Sequence, residues 1–369
     1  MKRVRVLVTD DSRFMRTAIK RMLGIDARIE VVGEARDGAE AVARVRELLP
    51  DVVTMDCHMP ILDGVGAVRA IMRLRPTPII MLSAHTTEGA RDTLEALAAG
   101  AVDFLAKPSG EVSAYFSGLA PSLVAKVLAA SEAILALPTP PRELSLLSGK
   151  TEGASFVTGN QEKFSLPRNQ SATHPIVHAS GLHQPTWRIV VIAISTGGPA
   201  ALARLVPSLP VDGGFGLLIV QHMPFGFTHA LAERLDALGA LRVREAKSGD
   251  VPESGLALIA PGDRHLEVAP DGTLMVTDGP EVNGVRPSAD VTMRTAAEVW
   301  GRRVTGVVMT GMGRDGAEGL LAIKRAGGIT LAQDRQSSVV FGMPRVAIEI
   351  GAADRVVGLD AMAEALRSH

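Results

Sequence analysis

Three side chains that can cooperate in hydrolysis follow strand-like apolar runs in the second half of the chain. Ser195 follows "VVIAI", His222 follows "LLIVQ", and Asp315 ends the stretch "VVMTGMGRD". A nucleophilic hydrolase needs a hydroxyl, an imidazole that takes its proton and a carboxylate that orients the imidazole. If these strands lie in one parallel sheet, their carboxyl ends bring the three side chains together.

The stretch "ISTGGPA" around Ser195 by itself admits three interpretations. Ser195 or Thr196 can cap the helix that follows, since both are hydroxyl residues at a strand-to-helix junction. The glycines can instead let the backbone approach a phosphate. The same geometry can also expose a nucleophile beside N–H donors for an oxyanion. Neither GxSxG nor GxGxxG is matched, and a lone strand-end histidine such as His222 is more often packed or solvated.

A second group of polar residues stands at predicted strand ends near the start of the chain. Its members are Asp10, Asp11, Asp56, Ser83 and Lys107. Any one of these aspartates alone is most simply a helix cap or turn residue. Three carboxylates in one pocket repel each other and favour a hard cation such as Mg²⁺, while the lysine suits an added anion. The set therefore predicts a metal-assisted phosphoryl acceptor with Asp56 as nucleophile.

The elements that position these residues alternate between strand and helix in two separate regions. This alternation predicts two α/β domains with parallel sheets covered on both faces. We place the first domain at residues 1–125, a linker at 126–184 and the second domain at 185–369. The second is predicted to be doubly wound, with a β-hairpin insertion that turns at Asp271-Gly272. The linker is rich in Pro, Ser and Gly, and the spacing of its histidines (His174, His178 and His183) matches no metal motif.

The length and composition of the chain limit the classes of function that it can have. The 369 residues suggest about two domains. A net charge of −1 does not suggest a general nucleic-acid binder, and we find no helix-turn-helix pattern or basic face. With one cysteine, no signal peptide and no run of about 18 apolar residues, we expect a cytoplasmic protein that does not insert into membranes.

The first region resembles the receiver domain of bacterial response regulators. The motifs "VTDDS", "VVTMDCHMPILDG", "IIMLSA" and "GAVDFLAKP" carry this resemblance. It implies a flavodoxin-like fold with a five-stranded parallel sheet, and phosphorylation of Asp56 by a histidine kinase. The implied Mg²⁺ ligands are Asp10, Asp11, Asp56 and the backbone carbonyl of His58, and the implied phosphoryl-site residues are Ser83, Lys107 and the switch aromatic Phe104. Cys57 and His58 are unusual after the acceptor, which leaves the phosphoryl lifetime open.

The second region resembles the chemotaxis protein-glutamate methylesterase (CheB) family. "ISTGGPAAL", "IVQHMPFGFT", "LIAPGDRHLEV", "RPSADV", "VVMTGMGRDGAEGL" and "GMPRVAIE" carry the resemblance in order. It implies Ser195 as nucleophile, His222 as general base, Asp315 as orienting carboxylate, and backbone amides of Thr196 and Met312 as the oxyanion hole. The implied reactions are hydrolysis of glutamyl methyl esters on methylated chemoreceptors and deamidation of receptor glutamines. The resemblance implies no cofactor at the esterase site. It implies a chemotaxis histidine kinase as the phosphodonor of the receiver.

Several points stay open from sequence. Met223, Phe225 and Phe227 are either substrate contacts or local packing, and "RPS" (286–288) has no assigned role. We hypothesise that the receiver covers the esterase site until Asp56 is phosphorylated. The alternative function is a phosphorylation-switched, non-enzymatic binding module with a nucleotide or anion site at "STGGP". A DNA-binding regulator is a third possibility.

Overall fold

The computed structural model describes residues 3–84, 86–107, 112–135 and 188–368. Most of the predicted linker, including its three histidines, lies outside the described residues. The final helix of the first region ends at Ser131, inside the segment placed in the linker from sequence.

The first sheet has five parallel strands in the order β2-β1-β3-β4-β5. Its middle strand is buried along its whole length, because helices cover both faces of a parallel sheet. The strands are β1 (Val4–Thr9), β2 (Ile29–Ala35), β3 (Val52–Asp56), β4 (Ile79–Ala84) and β5 (Asp103–Lys107). The helices are α1 (Arg13–Leu23), α2 (Gly38–Leu48), α3 (Gly64–Leu74), α4 (Thr87–Ala98) and α5 (Val112–Ser131). The predicted five-stranded parallel fold is confirmed.

The second sheet has seven strands in the order β14-β13-β12-β6-β7-β9-β8, and every pair is parallel. Its strands are β6 (Arg188–Ile194), β7 (Phe215–Gln221), β8 (Arg242–Glu245), β9 (Leu256–Ile259), β12 (Val304–Val308), β13 (Ile329–Gln333) and β14 (Arg355–Val357). The helices are α6 (Gly198–Leu205), α7 (Phe227–Asp236), α8 (Ala289–Trp300), α9 (Ala317–Arg325), α10 (Met343–Glu349) and α11 (Leu359–Arg367).

The predicted hairpin insertion is an antiparallel pair, β10 (His265–Val268) and β11 (Leu274–Thr277). Gly272 in its turn has φ +86°, a conformation that favours glycine. Within the described ranges, no helix is long and apolar enough to cross a membrane.

The order of strands places the ends of β6, β7 and β12 side by side. The chain adds β7 on one side of β6 and later returns to add β12 on the other side. In a doubly wound sheet the crevice at such a reversal, outside the carboxyl ends of the strands, is where ligands bind. Ser195 and His222 are the first residues after β6 and β7, and Asp315 lies in the loop between β12 and α9.

Candidate functional site

His222 and Asp315 form a direct pair at this crevice. Nε2 of His222 lies 2.8 Å from Oδ2 of Asp315, and both side chains are largely shielded from solvent. An ionised carboxylate only accepts hydrogen bonds, so Nε2 carries the proton. In the neutral ring the other nitrogen, Nδ1, then holds a free lone pair, and it makes no hydrogen bond within the described residues. Asp315 thus fixes a tautomer in which His222 can accept a proton.

Ser195 lies next to His222 through the backbone. The last register pair between β6 and β7 is Ile194 with Gln221, and each next residue is a site residue. The amide of His222 donates to the carbonyl of Ile194 over 3.1 Å. The hydroxyl of Ser195 makes no hydrogen bond within the described ranges, so it is free to engage a substrate or the imidazole. Nucleophile–base hydrogen bonds often tighten only when substrate is bound.

Two backbone amides beside Ser195 are also free. In the part of the chain that the structure describes, neither Thr196 nor Met312 uses its amide N–H as a donor. The neighbouring amides are occupied: that of Gly197 donates to the carbonyl of Val102, and that of Gly198 donates to the carbonyl of Ser195. The free amides of Thr196 and Met312 are therefore suited to an oxyanion.

Helix α6 begins too late for Ser195 or Thr196 to cap it. Gly197 is the N-cap, with φ +79° and no side-chain capping bond, so the capping interpretation is wrong. The occupied amides of Gly197 and Gly198 also argue against a phosphate loop, which needs consecutive free donors.

Glycine is required for close packing at Gly311, where an added Cβ would lie 2.7 Å from Cβ of Ser195.

The carboxylate of Asp315, in the loop between β12 and α9, contacts the start of α8 and accepts several hydrogen bonds besides that of His222. The hydroxyl of Ser288 donates over 2.6 Å, the amide of Ala289 over 2.6 Å, and Nδ2 of Asn283 over 3.0 Å. Burial by itself raises the pKa of Asp315, but the donors, chiefly His222, outweigh it and lower the pKa to about 2. Asp315 is therefore ionised at neutral pH.

The acidic residues of the first domain also converge. Ligand atoms of Asp10, Asp11 and Asp56 all lie within 4.8 Å of one another. Nζ of Lys107 lies 2.9 Å from Oδ2 of Asp10 and 2.7 Å from Oδ1 of Asp56. Burial raises the pKa of Asp56, Lys107 opposes the rise, and the neighbouring Asp10 adds to it. The cluster thus holds more negative charge than one lysine offsets, and such an all-oxygen donor set is typical of an Mg²⁺ site.

The other residues predicted at this site are placed as follows. Ser83 is buried and its hydroxyl donates to the carbonyl of Gly89 over 2.9 Å. The side chain of His58 points to Asp92, with Nε2 2.8 Å from the carboxylate. Burial raises the pKa of Cys57 to about 11, so its thiol stays protonated.

The second domain is contacted by three consecutive residues, which are Val102, just before β5, and the first two residues of β5, Asp103 and Phe104. We call this the β5 contact. The Val102 carbonyl accepts from the Gly197 amide over 3.1 Å, and Asp103 Oδ2 accepts from Oγ1 of Thr196 over 2.5 Å. Phe104, predicted as a switch aromatic, is buried with its ring stacked on Phe227, 4.6 Å between centroids. The β5 contact thus reaches the loop that directly follows Ser195.

The apolar residues that follow His222, which are Met223, Phe225 and Phe227, divide between packing and exposure. Met223 and Phe227 are buried in the core and therefore serve packing. Phe225 is 63% exposed and remains available for a substrate.

Sequence reasoning assigned no role to several residues that the structure brings to the site. Gln221, within the quoted "IVQHMP", donates from Nε2 to the carbonyl of Ser195 over 3.0 Å. Ser288 and Asp290 lie within "RPSADV", a motif that carries the family resemblance but gives neither residue a role. Asn283 carries no sequence signal, and Asp103 lies in the motif "GAVDFLAKP", from which only Lys107 and Phe104 are assigned roles.

Comparisons with known proteins cover both halves of the chain. Residues 190–366 match the CheB methylesterase family, and residues 6–113 match the response regulator receiver domain family. A protein-glutamate methylesterase/protein-glutamine glutaminase of Symbiobacterium thermophilum is 46% identical over 368 residues, which cover 98% of this chain and 96% of the relative. The protein-glutamate methylesterase/protein-glutamine glutaminase of Pyrococcus horikoshii is 45% identical, and the match covers 98% of this chain and 92% of that relative.

Solved structures match each half separately. The Thermotoga maritima CheB methylesterase catalytic domain is 41% identical with a TM-score of 0.48, and covers 50% of this chain and 98% of its own. The response regulator domain of Thermotoga maritima CheB is 47% identical with a TM-score of 0.34, and covers 36% of this chain and 99% of its own.

Proposed function

The chain belongs to the CheB protein-glutamate methylesterase family that carries a receiver domain, and from this premise we propose that Ser195, His222 and Asp315 perform its hydrolysis. The protein is a methylesterase and glutaminase of chemotaxis adaptation. The observation that carries the assignment is the 2.8 Å pair between His222 and Asp315, which leaves Nδ1 of His222 free to act as base at the strand edge where Ser195 also lies.

The proposed reaction proceeds through an acyl-enzyme. Oγ of Ser195 attacks the γ-carbonyl carbon of a receptor glutamyl methyl ester while Nδ1 of His222 takes the hydroxyl proton. The amides of Thr196 and Met312 hold the oxyanion, and methanol leaves with the proton from His222. Water, deprotonated by His222, then releases the glutamate. A glutamine follows the same path with ammonia as the leaving group.

We propose methylated chemoreceptors as the substrate of the esterase. In the receiver we propose Asp56 as the phosphorylation site and the chemotaxis histidine kinase as the phosphodonor. A carboxylate oxygen of Asp56 attacks phosphorus, and the bond from phosphorus to the kinase histidine breaks. Asp10, Asp11, Asp56 and the His58 carbonyl would hold Mg²⁺, which when bound offsets the charge of the incoming phosphoryl group. Lys107 would pair with the phosphoryl group and Ser83 would hydrogen-bond to it. We place the protein in the cytoplasm.

We propose that the receiver restrains the esterase through the β5 contact. Strand β5 carries Lys107 at one end, and the contact is made at its other end by residues 102–104. A phosphoryl group on Asp56 competes for Lys107, which now bridges Asp10 and Asp56. A rearrangement of β5 that follows would withdraw Asp103 from Thr196, a residue of the proposed oxyanion hole.

Replacing Asp56 with asparagine is expected to remove the response to phosphorylation, because an amide cannot form an acyl phosphate. Methanol release from methylated receptor would be measured with and without Mg²⁺ and a small phosphodonor. The wild type should gain activity on addition of the donor, whereas Asp56→Asn should keep its basal rate. The exposed neighbour variant Asp63→Asn serves as a control and should respond like the wild type. An Asp56→Asn protein that the donor still activates would rule out this phosphorylation site.

Replacing Asp103 with alanine is expected to raise the unphosphorylated rate about tenfold. The change removes a charge-assisted hydrogen bond to Thr196 that exists only while the two domains are in contact. The rate with phosphodonor should stay within about twofold of the wild type, which also shows that the receiver is still folded. Glu30→Ala, on the exposed edge of the receiver, is the control. An unchanged basal rate in Asp103→Ala would mean that this contact does not restrain the enzyme.

A further inference from the structure

Asp290 is a buried carboxyl group that the proposed mechanism does not use. It lies in the first turn of α8 and is 1% exposed. Its Oδ1 accepts from the amide of Gly319 over 2.6 Å, and its Oδ2 accepts from Nδ2 of Asn283 over 2.8 Å. Burial raises the pKa of Asp290, and the neighbouring charge of Asp315 adds to the rise. A second carboxyl group so close to Asp315 is costly, which suggests that it has a task at the site.

Asn283 connects the two carboxyl groups. Its side-chain amide has two hydrogens, and the same Nδ2 that donates to Asp290 also donates to Oδ1 of Asp315 over 3.0 Å. Asn283 has φ +56° in a short turn whose ends, Val282 and Val285, exchange backbone hydrogen bonds. Asparagine is among the few residues that tolerate this conformation. The turn therefore holds the amide where both hydrogens are used.

We propose that Asn283 and Asp290 act as one positioning unit that fixes the carboxylate of Asp315 against His222. Asp290 orients the amide of Asn283, and Asn283 holds Oδ1 of Asp315. Rotation of the Asp315 carboxylate would draw Oδ2 away from Nε2 of His222, and the hydrogen bond to Oδ1 resists that rotation. This inference rests on the role proposed for Asp315.

Two variants test the unit without straining the backbone. Asn283→Gly removes the amide, and glycine accepts the positive φ. Asp290→Asn keeps the shape but offers one acceptor oxygen to two donors, Asn283 and Gly319. Both would be made in the full chain, activated with a small phosphodonor and Mg²⁺, and initial rates of methanol release would be measured over a range of methylated-receptor concentrations.

We expect each variant to lower kcat about tenfold or more while KM stays within about twofold, because the unit acts on the chemistry and not on binding. The double variant should be no worse than the more damaging single variant, since the two residues act through one contact. Leu49→Gly, which replaces another residue of positive φ (+49°) in the receiver, should behave as the wild type. A kcat within twofold of the wild type for Asn283→Gly, or losses that multiply in the double variant, would overturn the proposal.

An Asp315→Ala variant separates this inference from the role of Asp315 itself. If Asp315→Ala retains full activity, the proposed catalytic site fails. If it loses activity while Asn283→Gly and Asp290→Asn both match the wild type, the catalytic site stands and the positioning unit fails.

Discussion

Replacing Ser195 with alanine is expected to lower methanol release from methylated receptor by about 10⁴-fold or more. The change removes the atom that we propose forms the covalent bond to the substrate carbonyl carbon. What remains is the binding of substrate and the proposed oxyanion amides of Thr196 and Met312, which cannot supply a nucleophile. Because ester and amide hydrolysis share the acyl-enzyme, release of ammonia from receptor glutamines should fall with it.

A serine-directed phosphonate gives an independent measurement on the same protein. Mass spectrometry should find the reagent on Ser195 of the wild type and no label on Ser195→Ala. Ser254→Ala, which changes an exposed serine of the same domain, should keep both its activity and its label. If Ser195→Ala releases methanol near the wild-type rate, the nucleophile is elsewhere and "STGGP" needs another function.

The sequence predicts much of this site because two of its three members stand directly after strands. Apolar runs in the sequence mark β6 and β7, and the ends of those runs predict that Ser195 and His222 stand at the carboxyl ends of the two strands. Parallel strands share a carboxyl edge, and this turns separate positions along the chain into one crevice. The same reasoning places Asp10 and Asp56 together in the receiver.

The parts that sequence could not predict depend on neighbours far apart in the chain. Nothing local to Asp103 indicates that it accepts a hydrogen bond from Thr196, 93 residues away. The partnership of Asn283 with Asp290 and Asp315 depends on how a turn, the start of α8 and a loop pack together. The start of α6 was also ambiguous, because hydroxyl and glycine residues are both accepted at an N-cap.

Replacing Asp315 with asparagine is expected to lower kcat by about 10³- to 10⁴-fold, with a smaller change in KM. The wild-type carboxylate accepts from His222 on Oδ2 and from Ser288 and Asn283 on Oδ1. An amide has one acceptor oxygen and one donor group for these two sides. If the NH₂ group faces His222, it donates to Nε2 and moves the ring proton to Nδ1, which can then no longer act as base.

The opposite orientation of the introduced amide is also unfavourable. With the amide oxygen towards His222, the NH₂ group meets Nδ2 of Asn283, so two donors face each other. Either way the imidazolium that forms during attack loses its negative partner. Because the pKa of Asp315 is about 2, the wild-type carboxylate stays ionised throughout an assay between about pH 5 and 9. The loss of kcat in Asp315→Asn should therefore persist across that range.

The measurement is the pH profile of kcat and KM for methanol release, with thermal unfolding to check the fold. Asp360→Asn is the matched control, because Asp360 is an exposed carboxylate paired with Arg204 in the same domain, remote in sequence from the site residues. It should stay within about twofold of the wild type at every pH. An Asp315→Asn enzyme with wild-type kcat would show that His222 needs no carboxylate to orient it, and the hydrogen bonds converging on Asp315 would then have to be explained by stability alone.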